Sequence, residues 1–124
     1  MARVLVAEDE AGVREVVVRA LTGRGHAVEA VADGGAALEA LAARPFDVLL
    51  ADIVMPRLDG VALALKASKD YPALAVVLMT GYSEARARAH NLAFLAHGVI
   101  EKPFELGALC EAVEAALARH HPTG

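Results

Sequence analysis

Tryptophan is absent from this sequence, aromatic residues make up only 4% of it, and there is a single cysteine, Cys110. So few rings leave no platform for stacking bases or sugars. A lone thiol excludes an internal disulfide and any Cys-only zinc cage, and Cys110 lies in an apolar helical stretch, where it reads as a small buried hydrophobe. Missing too is any charge-free apolar run approaching the roughly 18 residues that a membrane span needs. Met1-Ala2-Arg3 leads straight into a strand-like segment without a hydrophobic signal region, so a cytoplasmic location is expected. Positive charge is also in short supply: twelve basic residues against sixteen acidic ones give a formal net charge of -4. That balance repels a phosphate backbone, and neither nucleic acid nor membrane is an expected partner.

What the chain does have is aliphatic bulk, with 56% hydrophobic and 23% charged residues among its 124. That suits one compact domain, which at this size buries about two-thirds of its unfolded surface. Short apolar runs alternate with longer segments of helical period. Val4-Leu5-Val6-Ala7 precedes a helical face of Val13, Val16, Val17, Ala20 and Leu21, which Gly23 and Gly25 end. Ala27 to Val31 is a weaker strand, and Asp33 caps a helix carrying Ala37, Leu38 and Leu41 up to Pro45. Val48-Leu49-Leu50-Ala51 leads through a Pro-containing loop to a helix opened by Asp59-Gly60, with Val61, Leu63, Ala64 and Leu65. Ala75 to Met79 is a fourth strand and Ser83-Glu84 opens a fourth helix through Leu92 and Leu95. Val99-Ile100 is a short fifth strand, and Glu105 begins a last helix with Leu106, Leu109, Val113 and Leu117.

Five strand-helix units with mostly unbroken apolar strands predict a parallel sheet covered on both faces. The expected fold is α/β, doubly wound and flavodoxin-like, with strand order 2-1-3-4-5 and ligands beyond the carboxyl ends of the strands. Residues 1–119 are expected to form the domain and residues 120–124 a frayed tail.

The chemistry falls on that edge. Glu8-Asp9 follow the first apolar run, Asp52 the third, Thr80 the fourth and Lys102 the fifth. An isolated acid at a strand end is ordinarily a cap, but three carboxylates, a hydroxyl and an ammonium on one edge form a site. Clustered carboxylates repel one another and ask for a hard divalent cation with oxygen ligands, a demand that magnesium meets. With the cation in place, Asp52 can attack a phosphorus atom in line. The cation and Lys102 then neutralise the phosphoryl oxygens, Thr80 donates to one of them, and the product is an acyl phosphate.

Over nearly its full length the sequence resembles the receiver domains of response regulators, CheY-like phosphorylation switches of two-component systems. Glu8-Asp9 is similar to the acidic pair, Asp52-Ile53-Val54-Met55-Pro56-Arg57-Leu58-Asp59-Gly60 to the phosphoacceptor segment, Thr80-Gly81 to the switch hydroxyl and its small neighbour, and Lys102-Pro103-Phe104 to the lysine turn. The resemblance implies that Asp9 and Asp52 bind Mg2+ directly, that Glu8 acts through water, and that the backbone carbonyl of Val54 completes the ligands. It also implies a cis peptide before Pro103 and no enzymatic activity beyond the domain's own phosphorylation and slow dephosphorylation. Two positions depart from the pattern: Glu8 stands where Asp is more usual, and Val99 stands where many receivers carry Tyr or Phe. Without that aromatic, output is expected to run through the segment after Thr80, including Tyr82, Arg86 and Arg88. Val54 and Tyr82 flank the phosphoryl position, where an apolar pair would restrict water; ordinary loop packing is the alternative.

The implied phosphodonor is a histidine kinase or a histidine phosphotransfer protein, docking on Ala11 to Arg14 and on the loop after Lys102. Because no output domain follows the fifth helix, the signal is expected to pass through protein contacts of a monomer or weak dimer. The segment from Thr80 to His90, together with Ala51 to Pro56, resembles single-domain regulators of CpdR type. That likeness implies control of proteolysis by the ClpXP protease. Rival readings are a phosphorylation-independent binding scaffold, a phosphatase with an aspartyl nucleophile, and a flavin-binding module. The phosphatase generally wants a second acid where Val54 stands, and Glu8-Asp9-Glu10 would repel a flavin phosphate.

Overall fold

The computed structural model of the protein describes residues 2–55, 57–81 and 96–120. The apolar runs form five parallel strands: β1 (Arg3–Ala7), β2 (Ala27–Val31), β3 (Val48–Asp52), β4 (Ala75–Thr80) and β5 (Gly98–Glu101). They pair in the order β2-β1-β3-β4-β5, as expected for the flavodoxin-like fold. Four helices are described: α1 (Ala11–Gly23), α2 (Gly34–Ala43), α3 (Gly60–Asp70) and α4 (Leu106–Arg119). The helix expected from Ser83 to Leu95 lies outside the described residues.

Successive side chains of a strand point to opposite faces, and the sheet uses both faces. Leu5, Ala7, Leu49, Ala51, Val76 and Leu78 are buried with Ala37, Leu41, Leu63 and Ala64 of α2 and α3. Val4, Val6, Val48, Leu50, Val77 and Met79 are buried with Val17, Leu21, Leu109 and Val113 of α1 and α4. Two cores back to back explain why the central strands read as continuous hydrophobic runs. Cys110 is buried in the second core, as expected of a small apolar side chain.

Local signals account for the starts of α2 and α3. The Asp33 carboxylate accepts from the amide of Ala36 and that of Asp59 from the amide of Ala62, both at 2.8 Å. Each satisfies a donor that the first turn leaves open. Gly25, with φ +90°, turns the chain from α1 into β2.

Two expectations need correction. Asp52 and Thr80 are the last residues of their strands rather than the residues after them. Val16, Leu65 and Leu106, placed on core-facing stripes by their spacing, are 46%, 51% and 39% exposed. Helical period locates such a stripe but not its edge, and these three sit on the rim. The His120 Nε2 lies 2.7 Å from the Pro72 carbonyl oxygen, and its ring lies against that of His97 at a tilt of 34°. Residues 121–124 lie outside the described residues.

Candidate functional site

Parallel strands bring residues distant in sequence to one edge, and main-chain hydrogen bonds lace that edge together. The amide of Glu8 donates to Val31, that of Ile53 to Met79 and that of Lys102 to Thr80, at 3.1, 3.0 and 2.7 Å. The residues leaving β1, β3 and β5 are therefore each held to a neighbouring strand. On this frame Glu8, Asp9 and Asp52 each offer a carboxylate oxygen, and the three oxygens lie within 4.8 Å of one another.

Their environments differ. Glu8 is fully buried, Asp52 is 6% exposed and Asp9 faces solvent. The Lys102 ammonium bridges the two buried acids, 2.8 Å from Oε1 of Glu8 and 2.8 Å from Oδ2 of Asp52. The remaining oxygens take main-chain donors: Glu10 gives its amide to Oε2 of Glu8 at 3.1 Å, and Val54 gives its amide to Oδ1 of Asp52 at 3.2 Å.

Burial pushes the Glu8 carboxyl up to about 7, with nearby Asp52 adding to the rise against the lowering pull of Lys102 and the Glu10 amide. For Lys102, burial pulls downward, but hydrogen bonds to Asp52 and Glu8 outweigh it and raise its pKa. One ammonium thus serves two acids in a poorly solvated place, which fits a site whose negative charge wants more cation.

Thr80 completes the edge. It is 1% exposed, and its Oγ1 has no hydrogen-bond partner among the described residues. A buried hydroxyl left unpaired costs about 1–3 kcal/mol, so a group that accepts from it belongs in this place.

Two close approaches shape the loop after β3. A Cβ on Gly60 would lie 2.3 Å from the Asp52 carbonyl oxygen, and one on Gly34 would lie 2.3 Å from that of Leu58. Arg57 takes φ 70° and sets its guanidinium 3.7 Å from Asp33. Val54 is 64% exposed. Pro56 lies outside the described residues, as do Tyr82, Arg86, Arg88 and His90.

The peptide between Lys102 and Pro103 is cis, as the resemblance implied. Val99 is half-buried and in register with Leu78. Beside the site, an apolar groove of about 620 Å³ runs between α1 and the segment after β5, lined by Val13, Val16, Lys102, Pro103, Phe104 and Leu106. The groove lies between the two segments named for docking, the start of α1 and the loop after Lys102; what escaped the sequence is the bond from Nη1 of Arg14 to the Glu8 carbonyl, 2.8 Å long.

The chain has relatives among known proteins. The family described as response regulator receiver domain matches residues 4–114. The response regulator receiver protein CpdR of Brucella abortus is 37% identical over 117 residues, covering 94% of this chain and 98% of that protein. The DNA-binding transcriptional regulator NtrC of Escherichia coli is 36% identical over 94% of this chain, which spans only 25% of that regulator. Among solved structures, the response regulator TrrA of Thermotoga maritima in complex with Mg2+-BeF superposes with a TM-score of 0.84. It is 28% identical over 94% of this chain and 99% of its own.

Proposed function

Because the chain belongs to the response regulator receiver domain family, we propose that Asp52 is its phosphoacceptor in a two-component phosphorelay. The observation that carries this is the gathering of carboxylate oxygens of Glu8, Asp9 and Asp52 within 4.8 Å of one another, with the Lys102 ammonium on the strand end beyond Thr80 and a Thr80 hydroxyl that has no hydrogen-bond partner among the described residues. Oδ2 of Asp52 is the nucleophile for the phosphoryl group of a phosphohistidine. Lys102, already bonded to that oxygen, follows the charge onto the phosphoryl oxygens, and Thr80 Oγ1 donates to one of them.

The residues present fit a magnesium ion: Asp9 and Asp52 would hold it directly, with the Val54 carbonyl, and Glu8 through water. When bound, Mg2+ supplies charge neutralisation for an incoming dianion. TrrA in complex with Mg2+-BeF is a relative of the same fold. The reaction is the domain's own modification, slowly reversed, rather than turnover of an external substrate.

The donor is a histidine kinase or a histidine phosphotransfer protein, and the apolar groove beside Lys102 suits a helix presenting its phosphohistidine toward Asp52. Output passes through protein contacts in the cytoplasm, from a monomer or weak dimer. Likeness to CpdR supports one specific target, the ClpXP protease, with phosphorylation changing the affinity.

Incubation with a small phosphodonor and MgCl2 tests the central claim. A mass gain of one phosphoryl group is expected, absent in Asp52→Asn and absent without the metal. An unmodified wild-type chain would instead favour a phosphorylation-independent scaffold. Degradation assays with ClpXP, run with the phosphorylated and unphosphorylated chain, test the target.

A further inference from the structure

Three acids in succession, Glu8, Asp9 and Glu10, form the turn between β1 and α1, where like charges oppose close packing. The helix that follows gives the turn no side-chain cap, since Glu10 at the N-cap position makes no capping hydrogen bond. Glu8 is nonetheless secured on every polar atom. Its amide is bonded to Val31, Oε1 to Lys102, Oε2 to the Glu10 amide, and its carbonyl to Nη1 of Arg14 at 2.8 Å.

The last of these bonds differs in kind. Arg14 reaches back from the first full turn of α1, and its own amide closes that turn on the Glu10 carbonyl at 2.9 Å. A basic residue four positions after Glu10 could have formed an ordinary helical ion pair with it; instead the guanidinium bonds a main-chain oxygen. The Glu8 carbonyl shares its rigid peptide plane with the Asp9 amide. Holding that oxygen therefore sets the plane from which the exposed carboxylate of Asp9 departs. A half-buried guanidinium behind the turn also lowers the mutual repulsion of the acids.

We propose that Arg14 is a positioning residue: it clamps the Glu8–Asp9 peptide and so sets the site's affinity for a divalent cation without touching the ion. This rests on the reading of the acidic cluster as a magnesium site. Groups that orient ligands from behind typically contribute about 10–100-fold in metal affinity.

The test compares wild type with Arg14→Ala, Arg14→Lys and Arg14→Gln, titrated with MgCl2 in a calorimeter without phosphodonor, alongside amide hydrogen exchange at residues 9 and 10. Arg14→Ala is expected to weaken Mg2+ binding about tenfold and to speed exchange at the Glu10 amide. Arg14→Lys, which keeps both a donor and the charge, restores most of the affinity. Arg14→Gln, a neutral donor, recovers the slow exchange but only part of the affinity.

Metal affinity in Arg14→Ala within twofold of wild type, or unchanged exchange at residues 9 and 10, would overturn the proposal. So would a loss of affinity that merely tracks a loss of folded protein in circular dichroism. Should Arg14→Ala fail to fold, the Lys and Gln variants decide the matter on the same readouts. Were wild type itself to take up no magnesium, the metal-site reading would fall, whereas the exchange comparison would still decide whether the clamp exists.

Discussion

The Lys102 ammonium lies 2.8 Å from Oδ2 of Asp52, so the oxygen proposed as nucleophile is held by the same cation that is proposed to accompany the phosphoryl group. Lys102 also contacts Oε1 of Glu8, and it is the only basic group among the described residues that bridges the two buried acids.

Replacing Lys102 with Met should therefore act twice. Breaking a buried ion pair costs about 3–5 kcal/mol, but the Lys102 side chain is 24% exposed. Solvent screening reduces the expected loss to about 1–2 kcal/mol in urea denaturation at pH 8 without metal. Lowering the pH toward 6 should recover part of it, because Glu8 then takes up a proton. Phosphorylation by a small phosphodonor should slow by about 100-fold.

Glu8 predicts the sign of a pH dependence. Burial raises its folded-state pKa from 4.5 to about 7, so between these values the folded chain keeps a proton that the unfolded chain has released. This contribution to metal-free stability is complete below pH 4.5 and is lost as pH rises through 7. Magnesium uptake should release a proton below pH 7 and weaken about tenfold per unit at still lower pH. Calorimetry in buffers of different ionisation enthalpy measures that proton directly; its absence at pH 6 would place the ionisation elsewhere.

Gly60→Ala should be costly for a positional reason. The added methyl meets the Asp52 carbonyl oxygen at 2.3 Å and the Ile53 Cα at 2.8 Å, both backbone atoms that cannot swing aside. An overpacking loss of about 1–3 kcal/mol is expected. Phosphorylation of the surviving folded fraction should be slower too, since the clash displaces the residue that carries the nucleophile. Urea titration with parallel mass spectrometry separates the two effects.

Val54 is expected to matter for the lifetime of the phosphoryl group and not for the fold. A side chain that is 64% exposed contributes little to stability, within about 0.5 kcal/mol. If its apolar surface restricts water beside Asp52, Val54→Asn should lose the phosphoryl group several-fold faster at an unchanged melting temperature. Equal decay rates would remove the shielding role.

How much of this was legible beforehand follows from what pattern can encode. Continuous runs such as Val48 to Ala51 announced a doubly covered parallel sheet, and strand-end chemistry then pointed to Glu8, Asp9, Asp52, Thr80 and Lys102. Pattern could not reveal which acid is buried. Glu8 and Asp9 are neighbours in sequence, yet one is fully enclosed and the other faces solvent. Nor could it reveal contacts made by main-chain atoms, such as Arg14 on the Glu8 carbonyl, because a carbonyl has no letter in the sequence. The rim positions Val16 and Leu106 match buried positions in period and differ only in angle.

His97, far from the acids, carries a contrary pH signature. Its Nδ1 accepts the Val76 amide at 2.9 Å, so the ring must keep a lone pair there. Burial, followed by the charges of His120 and Arg119, lowers its pKa below 6.5. Its contribution to stability is therefore present above pH 6.5 and declines as pH falls through the lowered folded-state value. His97→Asn, which retains an acceptor without titrating, should flatten the acid limb of the melting-temperature profile.

The bond from the Lys102 amide to the Thr80 carbonyl, 2.7 Å long, has a consequence for a chain that carries Val99 in place of a swinging ring. The residue whose hydroxyl faces the site is tied through its own carbonyl to the residue whose ammonium bonds the two buried acids. The tips of β4 and β5 are stitched by main-chain atoms, so the seam between Thr80 and Lys102 is independent of which side chain stands at position 99.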